Sequence, residues 1–224
     1  MIRVEVLPDP VSVGERAADL IAEAVRSAIS QERRFAWAIS GGETPVTMFR
    51  RLGALALPWH LIDTWQVDER VAPADDPDRN RSLQVKVLPA EALDGVRWMP
   101  VEDDDLETAA ARYAATLPDR FDVVHLGLGA DGHTASLVPG DPVLDVRDRD
   151  VAVTGDYEGR RRMTLTYPGL ARADRVIWVV TGSDKRDALR KLVAGDLSIP
   201  ATDLAVPDQV VVTDQRDGPS APRT

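Results

Sequence analysis

Residues 121–136 read FDVVHLGLGADGHTAS, and this stretch decides how the rest of the chain is interpreted. The apolar run Phe121–Leu126 is typical of a buried parallel strand, because such strands are covered on both faces. Glycines, Asp131 and His133 follow at once, so the strand leads directly into a loop. Glycine is favoured where the backbone needs a positive φ or lies against a ligand. Open α/β sheets bind ligands at such strand ends, which predicts a site around His133.

The rest of the chain alternates short apolar runs with segments of helical periodicity. Strands are predicted at Ile2–Leu7, Phe35–Ile39, Leu61–Val67, Phe121–Leu126, Arg175–Val180 and Gln209–Val212, with weaker ones at Val96–Met99 and Val151–Val153. Helices are predicted at Gly14–Ser30, at Leu106–Thr116, at Asp184–Ala194 and from Thr44 onward. Thr44 is the predicted N-cap with Pro45 at the first helical position, and Ser183 or Asp184 is the predicted cap of the last helix. The alternation predicts an α/β fold with an open, mostly parallel sheet flanked by helices on both faces.

Composition places the chain among globular proteins and limits its partners. Of its 224 residues 44% are hydrophobic and 29% charged, which is ordinary for a protein with a buried core. We expect one domain over residues 1–213 and a polar, frayed tail over 214–224. The net charge of −10 argues against bulk nucleic-acid binding, because such proteins normally present a basic face.

Two further absences in the sequence bear on location and chemistry. No apolar stretch approaches the roughly 18 to 20 residues of a membrane helix, and the N-terminus lacks the pattern of a signal peptide. The chain contains no cysteine, which excludes disulfides, thiolate nucleophiles and thiolate metal sites. These features predict a cytoplasmic protein that has no membrane partner.

Four polar motifs follow predicted strands. Ser40-Gly41-Gly42-Glu43-Thr44-Pro45 offers uncovered backbone N–H groups and a helix N-terminus, which suit phosphate. Asp68-Glu69-Arg70 can orient hydroxyls and hold an anion, and the turn-rich loop 72–80 downstream can lie over the same crevice. In Asp131-Gly132-His133 the carboxylate can orient an imidazole that moves protons near neutral pH. Thr181-Gly182-Ser183-Asp184-Lys185 puts a cation against the local helix dipole, which suggests an anionic ligand.

Each motif also has a plain structural interpretation. The alternatives are a capped strand–helix turn, a surface ion pair, a turn with a solvent-facing histidine and a solvated lysine. What favours a site is convergence, because all four motifs fall at the carboxyl ends of strands predicted to be parallel.

The remaining histidines and arginines are assigned by their surroundings. His125 lies inside an apolar strand and is predicted to be a core residue, whereas His60 precedes a strand at the opposite edge. The histidines and carboxylates show no recognisable metal spacing, so no metal site is expected. In the basic cluster 160–162, Arg162 is the residue we expect to face the ligand.

These segments resemble the 6-phosphogluconolactonase family, within the glucosamine/galactosamine-6-phosphate isomerase superfamily. The likeness rests on the motifs at 40–45, at 68–70 with Asn80, at 127–139 (GLGADGHTASLVP), at 162–166 (RMTLT) and at 180–185. They occur in family order and span about residues 35–195. Two positions depart from the family pattern: Val67 stands where glycine is usual, and Arg79 stands where serine commonly precedes the asparagine.

Two rival functions remain. Glucosamine-6-phosphate deaminases of the same superfamily carry segments resembling Asp-Glu-Tyr and Gly-His-Ile-Ala-Phe-Asn-Glu-Pro. This chain has Asp68-Glu69-Arg70 and GHTASLVP at 132–139, which favours the lactonase. The second rival is a non-catalytic sugar-phosphate sensor, but such sensors usually carry a DNA-binding module, and the sequence shows none.

The resemblance implies a Rossmann-like fold and hydrolysis of 6-phospho-D-glucono-1,5-lactone to 6-phospho-D-gluconate in the oxidative pentose phosphate pathway. It implies that His133, supported by Asp131, activates water and needs no cofactor. Backbone N–H groups around Gly129–Gly132 are candidates for stabilising the oxyanion. The only expected partner is the small-molecule substrate, and the chain is expected to be a monomer or weak homodimer. The residues expected to bind substrate or phosphate are Ser40, Gly41, Gly42, Thr44, Asp68, Arg70, Asn80, Gly129, Gly132, Arg162 and Lys185.

Overall fold

A computed structural model describes residues 2–215. The strands are β1 (Arg3–Val6), β2 (Phe35–Ile39), β3 (Ile62–Gln66), β4 (Asp68–Arg70), β5 (Val96–Arg97), β6 (Val123–Leu126), β7 (Val151–Val153), β8 (Arg162–Leu165), β9 (Arg175–Val180) and β10 (Asp208–Thr213). The helices are α1 (Pro10–Ser30), α2 (Val46–Ala54), α3 (Asn80–Val87), α4 (Ala90–Leu93), α5 (Leu106–Ala114), α6 (Tyr167–Leu170) and α7 (Arg186–Ala194). Short 3-10 turns lie at Trp59–Leu61, Pro142–Asp145, Ser183–Lys185 and Pro200–Asp203.

Seven strands form one open sheet in the order β1-β10-β9-β6-β2-β3-β5. Every neighbouring pair in it runs parallel. This confirms the predicted fold class. The bounds of β2 and β9 are those expected from sequence, whereas β6 begins two residues later than predicted, at Val123.

Both faces of this sheet are buried, which explains why its strands read as continuous apolar runs. Successive strand residues point to opposite faces. Trp37 and Ile39 therefore pack in one hydrophobic cluster with α1 and α2, while Ala38 between them packs in the other with α5 and α7. The helices lie on both faces, as the sequence predicts.

Three helices begin at residues other than those predicted. The first begins at Pro10, four residues early, because the side chain of Asp9 accepts a hydrogen bond from the Ser12 N–H at 2.8 Å and caps it. The second begins at Val46 with Pro45 at the N-cap position, so the prediction of Thr44 as N-cap is wrong. The last begins at Arg186, after a 3-10 turn, and neither Ser183 nor Asp184 caps it with a side chain.

A small antiparallel sheet, in the order β4-β8-β7, was not expected as a whole. Only β7 was predicted as a strand. The small sheet joins the main one at Val67, whose N–H donates to the Ile39 carbonyl at 3.0 Å and whose carbonyl accepts from the Leu165 N–H at 2.7 Å. Its position beside the carboxyl ends of β2 and β3 brings β8 to the predicted site.

The start of the predicted tail is attached to the fold. The carboxylate of Asp214 accepts a hydrogen bond from the Gly182 N–H at 3.2 Å, and Gln215 is buried. The rest of the predicted tail, 216–224, lies outside the described residues. Within the described range, no helix combines the length and the apolar character needed to cross a membrane.

Candidate active site

A cavity of about 210 Å³ opens at the carboxyl ends of β2, β6 and β9, which are close neighbours in the sheet. The loops that follow these strands and the start of the small sheet enclose it. Of the residues predicted from sequence, those lining the cavity are Ser40, Gly41, Gly42, Thr44, Asp68, Arg70, Gly129, His133, Arg162 and Lys185. Three further predicted residues do not line the cavity but are hydrogen-bonded to residues that do: Asp131 to His133, Asn80 to Arg70 and Gly132 to Gly129. The four motifs therefore meet, as the strand-end argument predicts.

The loop after β2 presents its backbone to the cavity. Two hydrogen bonds to His125 of β6 hold Ser40 in place. The Ser40 N–H donates to Nδ1 of His125 at 3.2 Å, and the Ser40 hydroxyl donates to the His125 carbonyl at 3.0 Å. Gly42 has a φ of +89°, which favours glycine. Within residues 2–215, the N–H groups of Gly41, Gly42 and Thr44 have no protein acceptor. These free donors can bind an anion.

Gly41 has a separate packing requirement. A Cβ on this residue would lie 1.9 Å from Oδ1 of Asn80, so the loop can lie against Asn80 only when position 41 is glycine. Asn80 in turn donates through Nδ2 to the Asp68 carbonyl at 2.9 Å and to Asp68 Oδ1 at 3.2 Å. Asn80 therefore joins the loop after β2 to the Asp68-Glu69-Arg70 segment.

Asp68 is a buried carboxylate and not part of a surface ion pair. Its side chain is buried and its Oδ2 accepts a hydrogen bond from the Ser136 hydroxyl at 2.7 Å. Arg70 donates through Nη1 to Oδ1 of Asn80 and lines the cavity. The plain structural interpretation of this motif is therefore wrong for Asp68.

Glu69 was not predicted as a site residue, yet it orders this side of the cavity. Its carboxylate is fully buried and accepts hydrogen bonds from the N–H groups of Arg70, Asn80 and Arg81, each at 2.8 Å. The last two donors are at the N-terminus of α3, where a carboxylate is favourable. The signal available in the sequence was the alternation of the strand, since residues 68 and 70 face one way and Glu69 the other.

His133 and Asp131 form a hydrogen-bonded pair at the rim of the cavity. Nδ1 of His133 lies 2.6 Å from Oδ1 of Asp131. Burial raises the pKa of Asp131, but hydrogen bonds from the His133 backbone and ring and from Tyr157 outweigh it, and the pKa is lowered overall. Because the carboxylate is ionised, Nδ1 carries the proton and Nε2 is left as the nitrogen that can accept one.

The glycines of this loop make room for the pair. A Cβ at Gly129 would lie 2.1 Å from Nδ1 of His133 and 2.5 Å from Oδ1 of Asp131. Gly132 has a φ of +85°, and a Cβ there would lie 2.4 Å from the Ile199 side chain. Gly132 therefore has the positive φ expected of a glycine in a turn, whereas Gly129 is required by close packing against the pair.

Two of the N–H groups in the segment Gly129–Gly132, which was expected to offer oxyanion donors, are already engaged within the loop. The Gly129 N–H donates to the His133 carbonyl at 2.8 Å, and the Gly132 N–H donates to the Gly129 carbonyl at 3.0 Å. The His133 N–H donates to Asp131 Oδ1 at 3.1 Å. All three donors maintain the loop, so their contribution to the site is to its shape.

Among the described residues, the cations that line the cavity are Arg70, Arg162 and Lys185. Arg162 is buried on β8, and its Nε has no hydrogen-bond partner within the described part of the chain. Lys185 ends the 3-10 turn before α7, and its Nζ lies 3.0 Å from a carboxylate oxygen of Asp184. An unpartnered guanidinium N–H is costly in a buried position, and an anionic ligand would satisfy it.

The other two histidines lie where the sequence predicts. His125 is buried in β6, and burial lowers its pKa to about 3, so it is neutral. His60 is exposed in the turn before β3, at the other edge. Across residues 2–215, no three or more histidines and carboxylates are grouped so that they could hold a metal ion.

The sequence family follows from comparison with known proteins. A family model described as glucosamine-6-phosphate isomerases/6-phosphogluconolactonase matches residues 8–214. The chain belongs to this family. A 6-phosphogluconolactonase of Nostoc sp. is 39% identical over 224 residues, covering 93% of this chain and 90% of the relative. A 6-phosphogluconolactonase of Synechocystis sp. is 34% identical, covering 86% of this chain and 85% of the relative. The resemblance to the lactonases is confirmed.

Solved structures of the family show the same fold. A 6-phosphogluconolactonase from Thermotoga maritima has a TM-score of 0.84 at 24% identity, covering 95% of this chain and 99% of that one. A monomeric glucosamine-6-phosphate deaminase has a TM-score of 0.85 at 20% identity, covering 96% and 98%. Lactonase and deaminase thus share one architecture, and at these identities the likeness shows the fold alone. The distinction between the two activities rests on the lactonase relatives and on the residues of the site.

The two residues that depart from the lactonase pattern, Val67 and Arg79, are both buried but make different contacts. Val67 is fully buried and its side chain packs in the core, while its backbone connects the two sheets. Arg79 is also buried, with Nη1 paired to Glu102 and Nε 3.6 Å from Oε2 of Glu69. Neither residue lines the main cavity.

Proposed function

We propose that this member of the family hydrolyses 6-phospho-D-glucono-1,5-lactone to 6-phospho-D-gluconate, a step of the oxidative pentose phosphate pathway. The observation that carries the proposal is the hydrogen-bonded His133–Asp131 pair at the rim of a cavity that also holds three cations. A positioned imidazole can move the protons of ester hydrolysis, and the cations suit a phosphorylated substrate.

His133 is the proposed general base. Its Nε2 takes a proton from a water molecule as the water oxygen bonds to C1 of the lactone. The tetrahedral intermediate then releases the ring oxygen, and the imidazolium returns the proton to that oxygen as the C1–O bond breaks. Asp131 keeps Nδ1 protonated and stabilises the imidazolium while it exists.

The phosphate lies, in this proposal, against the loop after β2. The free N–H groups of Gly41, Gly42 and Thr44 donate to phosphate oxygens. Lys185 and Arg162 supply further positive charge to the cavity, and Arg70 lies beside Asn80. Asp68, held by Ser136 and Asn80, accepts from a sugar hydroxyl.

The decisive experiment is an assay of the purified protein on freshly generated lactone, with glucosamine 6-phosphate as the comparison substrate. We expect hydrolysis of the lactone above its spontaneous rate and no release of ammonia. Ammonia release without lactone hydrolysis would instead establish the deaminase, and binding of either compound without turnover would establish the non-catalytic sensor.

Hydrolysis is expected to be independent of metal ions. The proposed proton transfers need only the imidazole and water, so exhaustive chelation should leave kcat/KM unchanged. The check is a rate measurement before and after dialysis against a chelator. Loss of activity that one divalent ion restores would contradict the proposal that His133 acts without a cofactor.

The proposed setting is the cytoplasm, with the chain acting as a monomer or weak homodimer. A phosphorylated sugar carries charge that is costly to bring into a membrane, so the lactone is expected to stay in the compartment where it is made. The enzyme is therefore expected in that same compartment.

A further inference from the structure

The hairpin that joins β7 to β8 places a tyrosine against the proton-transfer pair. Tyr157 donates through its hydroxyl to Oδ2 of Asp131 at 3.2 Å. Its ring meets the imidazole of His133 edge to face, with centroids 5.6 Å apart and planes at 66°. Tyr157 is not among the residues that line the cavity, so it contacts the pair without contacting the space for substrate.

We propose that Tyr157 is a positioning residue that fixes the His133–Asp131 pair for proton transfer. The proposal rests on the proposed hydrolysis, since it assigns a role within that reaction. It adds a residue outside the sequence motifs that carry the family resemblance.

The need for such a residue follows from the exposure of the pair. The side chain of Asp131 is 38% exposed and that of His133 is 26% exposed, so water competes for both. Oδ1 of Asp131 already accepts from the backbone and ring of His133. The tyrosine hydroxyl occupies the other oxygen, which fixes the plane of the carboxylate and thereby the plane of the imidazole.

Tyr157 is itself held by its surroundings. The guanidinium of Arg162 lies 4.9 Å from the centre of its ring, and Nη2 of Arg162 lies 3.2 Å from the Glu158 carboxylate. Arg160 ties the same hairpin to the loop after β4, through Asp76 at 2.7 Å and Asp78 at 3.1 Å. The first contact holds the ring of Tyr157, and the others hold the hairpin that carries it.

The protonation of Tyr157 suits this role. Burial raises its pKa, and the negative charges of Asp131 and Glu158 raise it further. The phenol is therefore protonated wherever the enzyme works and acts as a donor. Its partner Asp131 has a lowered pKa and acts as the acceptor.

The test compares Tyr157→Phe with the wild type. The variant keeps the ring and loses the hydroxyl, so we expect kcat to fall roughly 5- to 30-fold while KM stays within about twofold. Tyr167→Phe is the matched control: its hydroxyl donates to the Pro200 carbonyl at 2.8 Å, away from the cavity. This control should retain the wild-type kcat.

The pH profile separates positioning from general stability. Without the tyrosine hydroxyl, the negative charge of Asp131 is less dispersed and holds the imidazolium more strongly, so the acid limb of kcat should move to higher pH. The other charged groups at the cavity, Asp68, Arg70, Arg162 and Lys185, are the same in both proteins. A kcat loss with an unmoved acid limb, or a loss equalled by Tyr167→Phe, would overturn the proposal.

An NMR titration of the His133 ring makes the test independent of turnover. The ring signal is assigned by its absence in His133→Ala, and its midpoint should move to higher pH in Tyr157→Phe. If the wild type fails to hydrolyse the lactone but this shift occurs, the proposed function fails and the contact between Tyr157 and the pair stands. If the protein hydrolyses the lactone and neither the midpoint nor kcat changes, the role of Tyr157 fails alone.

Discussion

Replacing His133 with alanine is expected to lower kcat by about 10²- to 10⁴-fold, the contribution typical of a positioned general base. KM should change little, because the cations and backbone donors proposed to bind the phosphate lie on other elements. The measurement is steady-state hydrolysis with correction for the spontaneous rate. In the wild type, activity should also fall at acid pH, because a protonated imidazole cannot accept a proton. Asp131, with its lowered pKa, is still ionised where this loss begins, so the loss reports the imidazole.

His60→Ala is the matched control for this substitution. His60 is exposed at the other edge of the sheet and lies outside the cavity, so its loss should leave kcat unchanged. A His133→Ala protein with near wild-type kcat would remove His133 from the mechanism, whatever the behaviour of the control.

Replacing Lys185 with alanine is expected to lower kcat/KM for the phosphorylated lactone roughly 10- to 150-fold, mainly through KM. The range corresponds to a charge-assisted hydrogen bond of about 1.5 to 3 kcal/mol. The slow hydrolysis of unphosphorylated gluconolactone should barely change, because that substrate offers the ammonium no anion. Both substrates are therefore measured on the same protein preparation.

Two variants make the assignment of Lys185 specific. Lys191→Ala removes the same charge from α7 outside the cavity and should not alter KM. Arg162→Ala should raise KM too, but it also removes the contact with the Tyr157 ring and so should lower kcat. If Lys185→Ala weakened both substrates equally, Lys185 would support the fold or the chemistry. A phosphate-selective loss in Arg162→Ala alone would move the phosphate contact to Arg162.

The main sheet was predictable because its signal is local. A strand buried on both faces needs an apolar run, and β2 and β9 begin and end where their runs do. Convergence of the motifs was predictable once the strands were, because parallel strands bring their carboxyl ends to one edge of the sheet.

The small sheet was not predictable, because its strands are short and their pairing is set by tertiary contacts. In β4 and β8 the paired residues are Asp68 with Thr164 and Arg70 with Arg162, which form no alternating apolar pattern. The role of Tyr157 was missed because it depends on a partner 26 residues away in the chain. Alternation along the strand could show that Glu69 faces away from residues 68 and 70, but not that it meets the start of α3. The prediction of Thr44 as a cap was wrong because the helix begins later, at Val46, with Pro45 at the N-cap position.

The buried His125 beneath Ser40 has a consequence for the whole protein in acid. Folding keeps this imidazole neutral, with its pKa lowered by burial to about 3, whereas in the unfolded chain it takes up a proton near its ordinary value of 6.5. Above pH 6.5 the imidazole is neutral in both states, so it does not change the free energy of unfolding. As the pH falls below 6.5, the unfolded chain binds one more proton than the folded one, so acidification favours unfolding. At pH 5 the free energy of unfolding is lowered by about 2 kcal/mol. The folded chain binds almost no proton at His125 at this pH, so the figure depends only on the pKa in the unfolded chain. The side chain that orders the predicted phosphate loop thus also sets an acid limit on the fold.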